Sequence, residues 1–306
     1  MKIRGKQADI SEAISSLPAE AQHLLKASLS NQDHGYLPAS EVNRILKESG
    51  LTLQNLMNYC VVVAQLYAQP PISNYKVGAV VHGISGALYF GANIEFVSQA
   101  LSFCVHAEQA AIAHAISYGE LGVDYLAISA APCGYCRQFL YEITNCKTTP
   151  DIQVLIKDKT SMLSTLLPQA FGPKDLNVTT RLMQPQDNKL KLSPQPVDPI
   201  IIAALRSANN SYSPYSSDFS GISLATSRDI YVGAYAENAA YNPSMSPLEA
   251  SLISLIMSGD TFTDIRRAVL VEAANSKVSQ LSATTNVRAS IAPAVKLERY
   301  IASVVK

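Results

Sequence analysis

The sequence predicts an α/β protein built as two tandem α/β/α domains, each a mixed sheet flanked by helices, behind a small helical N-terminal domain. Three observations carry this expectation. Apolar residues over the first 50 positions recur at helical spacing, strand-like runs alternate with helical ones from residue 51 onward, and the second half of the chain echoes the first. A chain of 306 residues exceeds most single cores, and 48% hydrophobic against 16% charged residues leaves ample material for burial. The expected boundaries are 1–50 for the helical segment, 51–155 for the first α/β/α domain, 156–195 for a connector and 196–306 for the second copy.

In the first segment Ile10, Ile14 and Leu17, then Leu24 and Leu25, then Val42, Ile45 and Leu46 repeat at helical spacing, with a break at Pro18 and an end at Gly50. Thr52 is placed to cap a longer helix whose apolar face is Leu53, Leu56, Met57, Cys60, Val61 and Ala64, ahead of Pro70-Pro71. Two β-like runs, 75–82 and 86–93, read as a hairpin around a Gly-containing turn, with His82 at that turn. A buried helix follows with Ala110, Ala111, Ala113 and Ile116, then a strand over 125–130, then a helix turning Cys136, Phe139, Leu140 and Ile143 inward. His114 reads as a packing histidine, and His23 and His34 as isolated solvated ones. Pro150, Pro168, Pro173, Pro185, Pro194 and Pro196 loosen the connector, which carries a strand over 152–156.

In the echo, Ser213-Pro214-Tyr215 answers Ser73-Asn74-Tyr75, and Tyr231-Val232-Gly233-Ala234 answers Tyr89-Phe90-Gly91-Ala92. Pro247-Leu248-Glu249-Ala250 answers the helix of Glu108, so that Pro247 stands where His106 would be. All five cysteines lie in the first half. The second copy is therefore expected to hold no metal and to serve packing, assembly or part of a substrate wall.

Chemistry concentrates in His106-Ala107-Glu108 and Pro132-Cys133-Gly134-Tyr135-Cys136. One imidazole, two thiolates and a carboxylate off the metal are the parts of a catalytic zinc site, whose three protein ligands leave a fourth position for water. Cys133 and Cys136 are spaced to bring both sulfurs to one side of a first helical turn. His106 and Glu108 do not share a helix face, so at least one must lie at the very start of its helix. Two helix N-termini facing a metal favour thiolates and hydroxide. Zinc brings the pKa of water from about 15.7 to about 7, on the order of 12 kcal/mol toward a nucleophile. Glu108 then accepts the water proton, passes it to a ring nitrogen and protonates a departing amine. The competing reading is a structural zinc knot closed by Cys104 or Cys146; such a knot has no use for Glu108. Outside a knot, Cys60 and Cys104 read as small buried hydrophobes.

Formal net charge is zero, which disfavours a polyanion and favours a small substrate. Lys2, Arg4 and Lys6 are not followed by an apolar h-region, and the longest apolar run, near 60–66, is far short of a bilayer span. An odd number of cysteines does not look like a disulfide framework. These features point to a cytoplasmic protein with neither nucleic acid nor membrane as partner.

His-x-Glu with Pro-Cys-x-x-Cys is similar to the signature of zinc-dependent deaminases. The chain further resembles the longer, homodimeric bacterial cytidine deaminases at 73–79 (Ser-Asn-Tyr-Lys-Val-Gly-Ala), 90–95 (Phe-Gly-Ala-Asn-Ile-Glu), 170–176 (Ala-Phe-Gly-Pro-Lys-Asp-Leu) and 235–240 (Tyr-Ala-Glu-Asn-Ala-Ala). That resemblance covers nearly the whole chain. It implies a catalytic domain and a metal-free domain of the same cytidine-deaminase-like fold, with one Zn2+ per chain on His106, Cys133 and Cys136 and Glu108 as proton shuttle. It also implies Asn93 and Glu95 on the ribose 3'-hydroxyl, Tyr75 and Phe171 packed on the pyrimidine, and backbone groups of Ala107 and Ala131 on the base edge. Tyr241 matches an aromatic contributed from the opposite subunit of a homodimer with shared active sites. The family favours phenylalanine at the positions of Tyr75 and Tyr241, two departures. The implied activity is hydrolytic deamination of cytidine and 2'-deoxycytidine to uridine and 2'-deoxyuridine in pyrimidine salvage. The alternatives are a deaminase of another small aminated base or of polynucleotide, and a zinc-stabilised nucleoside-binding module without turnover.

Overall fold

The computed structural model describes residues 7–15, 17–31, 35–144, 151–157 and 159–304; Lys2, Arg4, Lys6, His34 and Cys146 lie outside them. Two compact units divide the chain: Met1–Glu95 with Cys104–Ala170 and Met257–Gly259, and Phe96–Phe103 with Phe171–Ile256 and Asp260–Lys306. Among the described residues no helix is long and apolar enough to cross a membrane.

The first unit opens with helices α1 (Gln7–Ala13) and α2 (Ala19–Asn31), the short strand β1 (Tyr36–Leu37) and helix α3 (Ala39–Ser49), which ends on Gly50 at φ 69. Ile10, Ile14, Leu24, Leu25, Val42 and Ile45 are buried, as their spacing requires. Helix α4 (Leu53–Ala64) starts as expected, with Thr52 Oγ1 accepting the Asn55 N–H at 3.2 Å, a cap worth about 1 kcal/mol. Strands β2 (Gly78–Gly83) and β3 (Leu88–Ala92) make the hairpin; helix α5 (Ala107–Ser117), strand β4 (Val123–Ile128) and helix α6 (Gly134–Tyr141) follow. Strands β5 (Gln153–Ile156) and β6 (Lys159–Met162) and helix α7 (Leu163–Leu166) complete the unit. The sheet runs β1-β3-β2-β4-β5-β6, with β4 and β5 parallel and the other pairs antiparallel.

The second unit comprises β7 (Leu190–Lys191), α8 (Pro199–Asn209), β8 (Ser220–Ala225), β9 (Ile230–Ala234), α9 (Pro247–Met257), β10 (Arg267–Ala273), α10 (Leu281–Ile291) and β11 (Leu297–Val304). Its sheet runs β7-β11-β10-β8-β9, again with a single parallel pair, β10 and β11. Residues 156–195 are thus shared out: β6 completes the first sheet and β7 joins the second.

Two glycines in each hairpin show why both units are three-layered. A Cβ on Gly78 would lie 2.5 Å from the Val61 carbonyl oxygen of α4, and one on Gly91 would lie 2.1 Å from the Ala111 nitrogen of α5. Gly78 pairs with Ala92 and Gly91 with Ala79, so the two glycines face opposite sides of the sheet and the two helices cover opposite faces. In the second unit Gly221 touches α8 and Gly233 touches α9 in the same way. Helix α5 is buried along both faces from Ala107 to Ala115, and its alanines permit that approach.

Matched contacts fix how the units correspond. Ile94 bridges Gln69 and Val105 as Ala236 bridges Tyr212 and Met245. Asn74 and Ser217 both hold positive φ. Gly91 meets Ala107 and Ala111, and Gly233 meets Pro247 and Ser251. Tyr75 N–H donates to Ser73 Oγ as Asp218 N–H donates to Ser216 Oγ. The echo read from the sequence is therefore corrected in two places. Ser73 corresponds to Ser216 and not Ser213, and His106 to Ser246 and not Pro247, which sets Leu248 against Glu108 and Glu249 against Gln109. Matching by residue type across loops of unequal length misplaced them. His82 is also corrected: it lies within β2 and pairs through Nδ1 with Asp124 Oδ1 at 2.6 Å.

Because a Cβ at Gly91 or Gly233 would enter helix backbone, Gly91→Ala and Gly233→Ala are each expected to destabilise the protein by about 1–3 kcal/mol in urea or thermal unfolding. An unchanged midpoint would show that the helices do not approach this closely.

Candidate active site

Helix α5 presents His106 at its N-cap, with extended backbone at φ −87 and ψ 154, and α6 presents Cys133 at its N-cap at φ −70 and ψ 168. This is the arrangement the spacing required. The Cys133 and Cys136 sulfurs are 3.7 Å apart and lie 3.4 and 3.3 Å from His106 Nδ1. Tetrahedral zinc with bonds of about 2.3 Å to sulfur and about 2.0 Å to nitrogen places two sulfurs about 3.8 Å apart and sulfur and nitrogen about 3.5 Å apart. The triangle therefore fits zinc. Among the described residues no other three His, Cys, Asp or Glu side chains converge in this way, and Cys104 is not part of the group.

Electrostatics agree with the fit. The bond with Cys136 Sγ lowers the Cys133 thiol to about 5, helped by the backbone N–H groups of Cys136 and Tyr135 at the start of α6. The hydrogen bond with Cys133, together with burial, pushes Cys136 up. Glu108, at the second position of α5 and only 4% exposed, is raised above the usual carboxylate range by burial. It stands beside the ligand set without belonging to it.

A second cluster of expected residues is joined by hydrogen bonds. Asn93 Oδ1 accepts the Val77 N–H at 2.9 Å, and Asn93 Nδ2 donates to the Tyr75 carbonyl at 3.0 Å. Glu95 Oε2 accepts the Ile72 and Ser73 N–H groups at 2.8 and 2.9 Å. Residues 75–77 are thus tied by side chains and lie outside β2, which starts at Gly78. The Tyr75 ring is exposed, Ala107 is buried at the first turn of α5, and Ala131 is exposed just before Pro132. Phe171 and Tyr241 are exposed residues of the second unit; Tyr241 holds φ 63, with its ring 6.3 Å from that of Tyr215.

Sequence reasoning missed Arg137, whose Nε donates to the Pro132 carbonyl and Nη1 to the Leu166 carbonyl, each at 2.8 Å, bracing the cysteine loop. A cation directly after the second cysteine was the available signal. The second unit lacks the whole ligand set. Ser246 and Glu249 cap α9, and Gln280, the N-cap of α10, donates to Asp218 Oδ2 at 2.8 Å. Burial pushes that aspartate up to about 6.

Fold and site together define a class: hydrolases built on a His-Cys-Cys zinc triangle with a buried carboxylate beside it. Models of the cytidine and deoxycytidylate deaminase zinc-binding region match residues 51–149 and 163–285, and the chain belongs to that family. The cytidine deaminase of Photobacterium profundum is 38% identical over 298 residues, covering 97% of this chain and 99% of the relative. That of Vibrio atlanticus is 41% identical, covering 93% and 96%. A crystal structure of cytidine deaminase from Mycobacterium tuberculosis is 28% identical, covers 40% of this chain and 99% of its own, and superposes with a TM-score of 0.36.

One ligand triangle and a second unit without cysteine predict one zinc per chain by metal analysis. Cys136→Ala is expected to abolish that zinc; a stoichiometry of two would contradict the assignment.

Proposed function

We propose that this protein hydrolytically deaminates cytidine and 2'-deoxycytidine to uridine and 2'-deoxyuridine, releasing ammonia. The observation that carries the reading is Glu108, a buried carboxylate beside a zinc-sized triangle but outside it. His106, Cys133 and Cys136 would hold a zinc ion, which would make a bound water acidic near neutral pH. Glu108 takes a proton from the attacking water as its oxygen adds to C4, and delivers a proton to N3. It then takes the second proton from the new C4 hydroxyl and gives it to the amine as the C4–N bond breaks and the C4 carbonyl forms, so that water and cytidine become uridine and ammonia. Its raised pKa suits a group that both accepts and returns protons.

Asn93 and Glu95 bind the ribose 3'-hydroxyl. With Oδ1 taken by Val77 N–H, Asn93 has an amide hydrogen left to offer the hydroxyl oxygen, and Glu95 accepts the hydroxyl hydrogen. Backbone groups of Ala107 and Ala131 hold the base edge, while Tyr75 packs on the pyrimidine. The active unit is a homodimer in which Tyr241 completes the partner's site; an aromatic ring 65% exposed on a left-handed residue suits a surface covered by a second chain. Residues 51–155 act as the catalytic domain, 1–50 as its helical neighbour, 156–195 as the connector and 196–306 as the metal-free copy. A cytoplasmic location keeps Cys133 and Cys136 reduced.

Two experiments test this. Glu108→Gln should keep zinc and fold but lower kcat for cytidine by roughly 10²- to 10⁴-fold; turnover near the parent rate would remove the mechanism. Glu108→Ala and Tyr241→Asp, each inactive alone, should regain activity when dissociated and reassembled together, since one site of the mixed dimer has both residues intact. Full activity of Tyr241→Asp alone, or an active monomer in sedimentation, would exclude shared sites.

A further inference from the structure

The reading of Glu95 as a ribose contact leaves open what aims its carboxylate. Ser73 Oγ donates to Glu95 Oε1 at 2.5 Å, and the Ser73 and Ile72 N–H groups hold Oε2. Ser73 Oγ also accepts the Tyr75 N–H at 3.1 Å, and the Tyr75 carbonyl takes the Asn93 amide. Ser73 thus joins both polar side chains of the sugar subsite through one short loop. Burial works against the charge of Glu95, yet the Ser73 hydroxyl and the two N–H groups hold it below the usual carboxylate range.

The second unit contains the same clamp. Glu237 Oε2 accepts the Tyr215 and Ser216 N–H groups at 2.7 and 3.2 Å, Ser216 Oγ donates to Glu237 Oε1, and Asp218 N–H donates to Ser216 Oγ. There Tyr235 stands in the place of Asn93 and buried Asp218 in the place of Tyr75, so no sugar subsite accompanies it. A loop clamp that recurs without those sugar-side residues is part of the fold. Its use for a hydroxyl belongs to the first unit alone.

Resting on the proposed ribose contact, we propose that Ser73 is a positioning residue for the sugar, orienting Glu95 toward the 3'-hydroxyl, and that Ser216 performs only the structural half of the same task. The chain thereby supplies its own control for separating the two roles. One hydrogen bond to a charged group sets the scale, a change of roughly tenfold or more.

The experiment compares cytidine with 3'-deoxycytidine, which lacks the hydroxyl. Ser73→Ala should raise KM for cytidine about tenfold, leave kcat near the parent value and leave KM for 3'-deoxycytidine unchanged; Ser73→Thr, which keeps the hydroxyl, should restore cytidine binding. Ser216→Ala should lower the unfolding midpoint without moving either KM. Should Ser73→Ala not accumulate, Ser73→Cys, with a weaker donor on a side chain of similar length, reads the same KM ratio. Equal effects of Ser73→Ala on both nucleosides, or none on either, would overturn the positioning role. Glu95→Gln serves as reference. If it too fails to distinguish the nucleosides, the ribose contact itself is wrong; if it distinguishes them and Ser73→Ala does not, only the proposal about Ser73 falls.

Discussion

Two thiols and an imidazole can share one small cation only if the elements that carry them end at the same point, and the first unit is built to that condition. His106 and Cys133 are both N-caps, so two helix starts meet with their backbone N–H groups turned toward anionic ligands. The depth of α5 against the sheet sets where His106 arrives, and Gly91 sets that depth by leaving room for the Ala107–Ala111 turn. The Pro132–Cys133 loop is fixed from the other side by Arg137. The placement of the three ligands is thus a property of sheet packing.

The same strand leads into the second cluster. Gly91 ends near α5, while Asn93 and Glu95 follow it at alternate positions, with Ile94 between them bridged to Gln69 and Val105. Helix position and the placement of Asn93 and Glu95 are therefore read off a single extended segment. A shift of β3 would move both at once, which makes its pairing with β2 and β1 part of the chemistry.

Those parts of the structure that depend on neighbouring residues were legible in the sequence. The cysteine spacing, the place of His106 at a helix start, the Thr52 cap and most of the buried faces of α4 and α5 follow from helix geometry alone and appear as expected, whereas Leu53 and Ile116 are only half-buried. What depends on distant partners was not. His82 looked like a turn residue because its partner Asp124 is remote in sequence. Strand β1 is only Tyr36–Leu37, too short to leave a pattern, and exists because β3 offers an edge. The register of the repeat was misread because Tyr215 and Glu249 resemble Tyr75 and Glu108 in type, while hydrogen bonds and close contacts assign their places to Asp218 and Leu248. Residues 75–77 read as strand, yet their backbone is satisfied by Asn93 and Ser73 in place of a ladder.

The start of α9 carries a cap that the first unit keeps only in part. Ser246 N–H donates to Glu249 Oε2 and Glu249 N–H to Ser246 Oγ, a reciprocal cap worth about 1 kcal/mol or more. At α5 the same two places belong to His106 and Gln109, where the His106 N–H still donates to Gln109 Oε1 at 3.4 Å, but a ring nitrogen given to a metal would not be available to the helix. Catalytic duty and sound capping compete for one residue. A chain that carries the fold twice can satisfy them separately, one copy held to reactivity and the other free to settle toward mechanical soundness. The metal-free half is then a record, inside the same molecule, of what this architecture prefers when no reaction is asked of it.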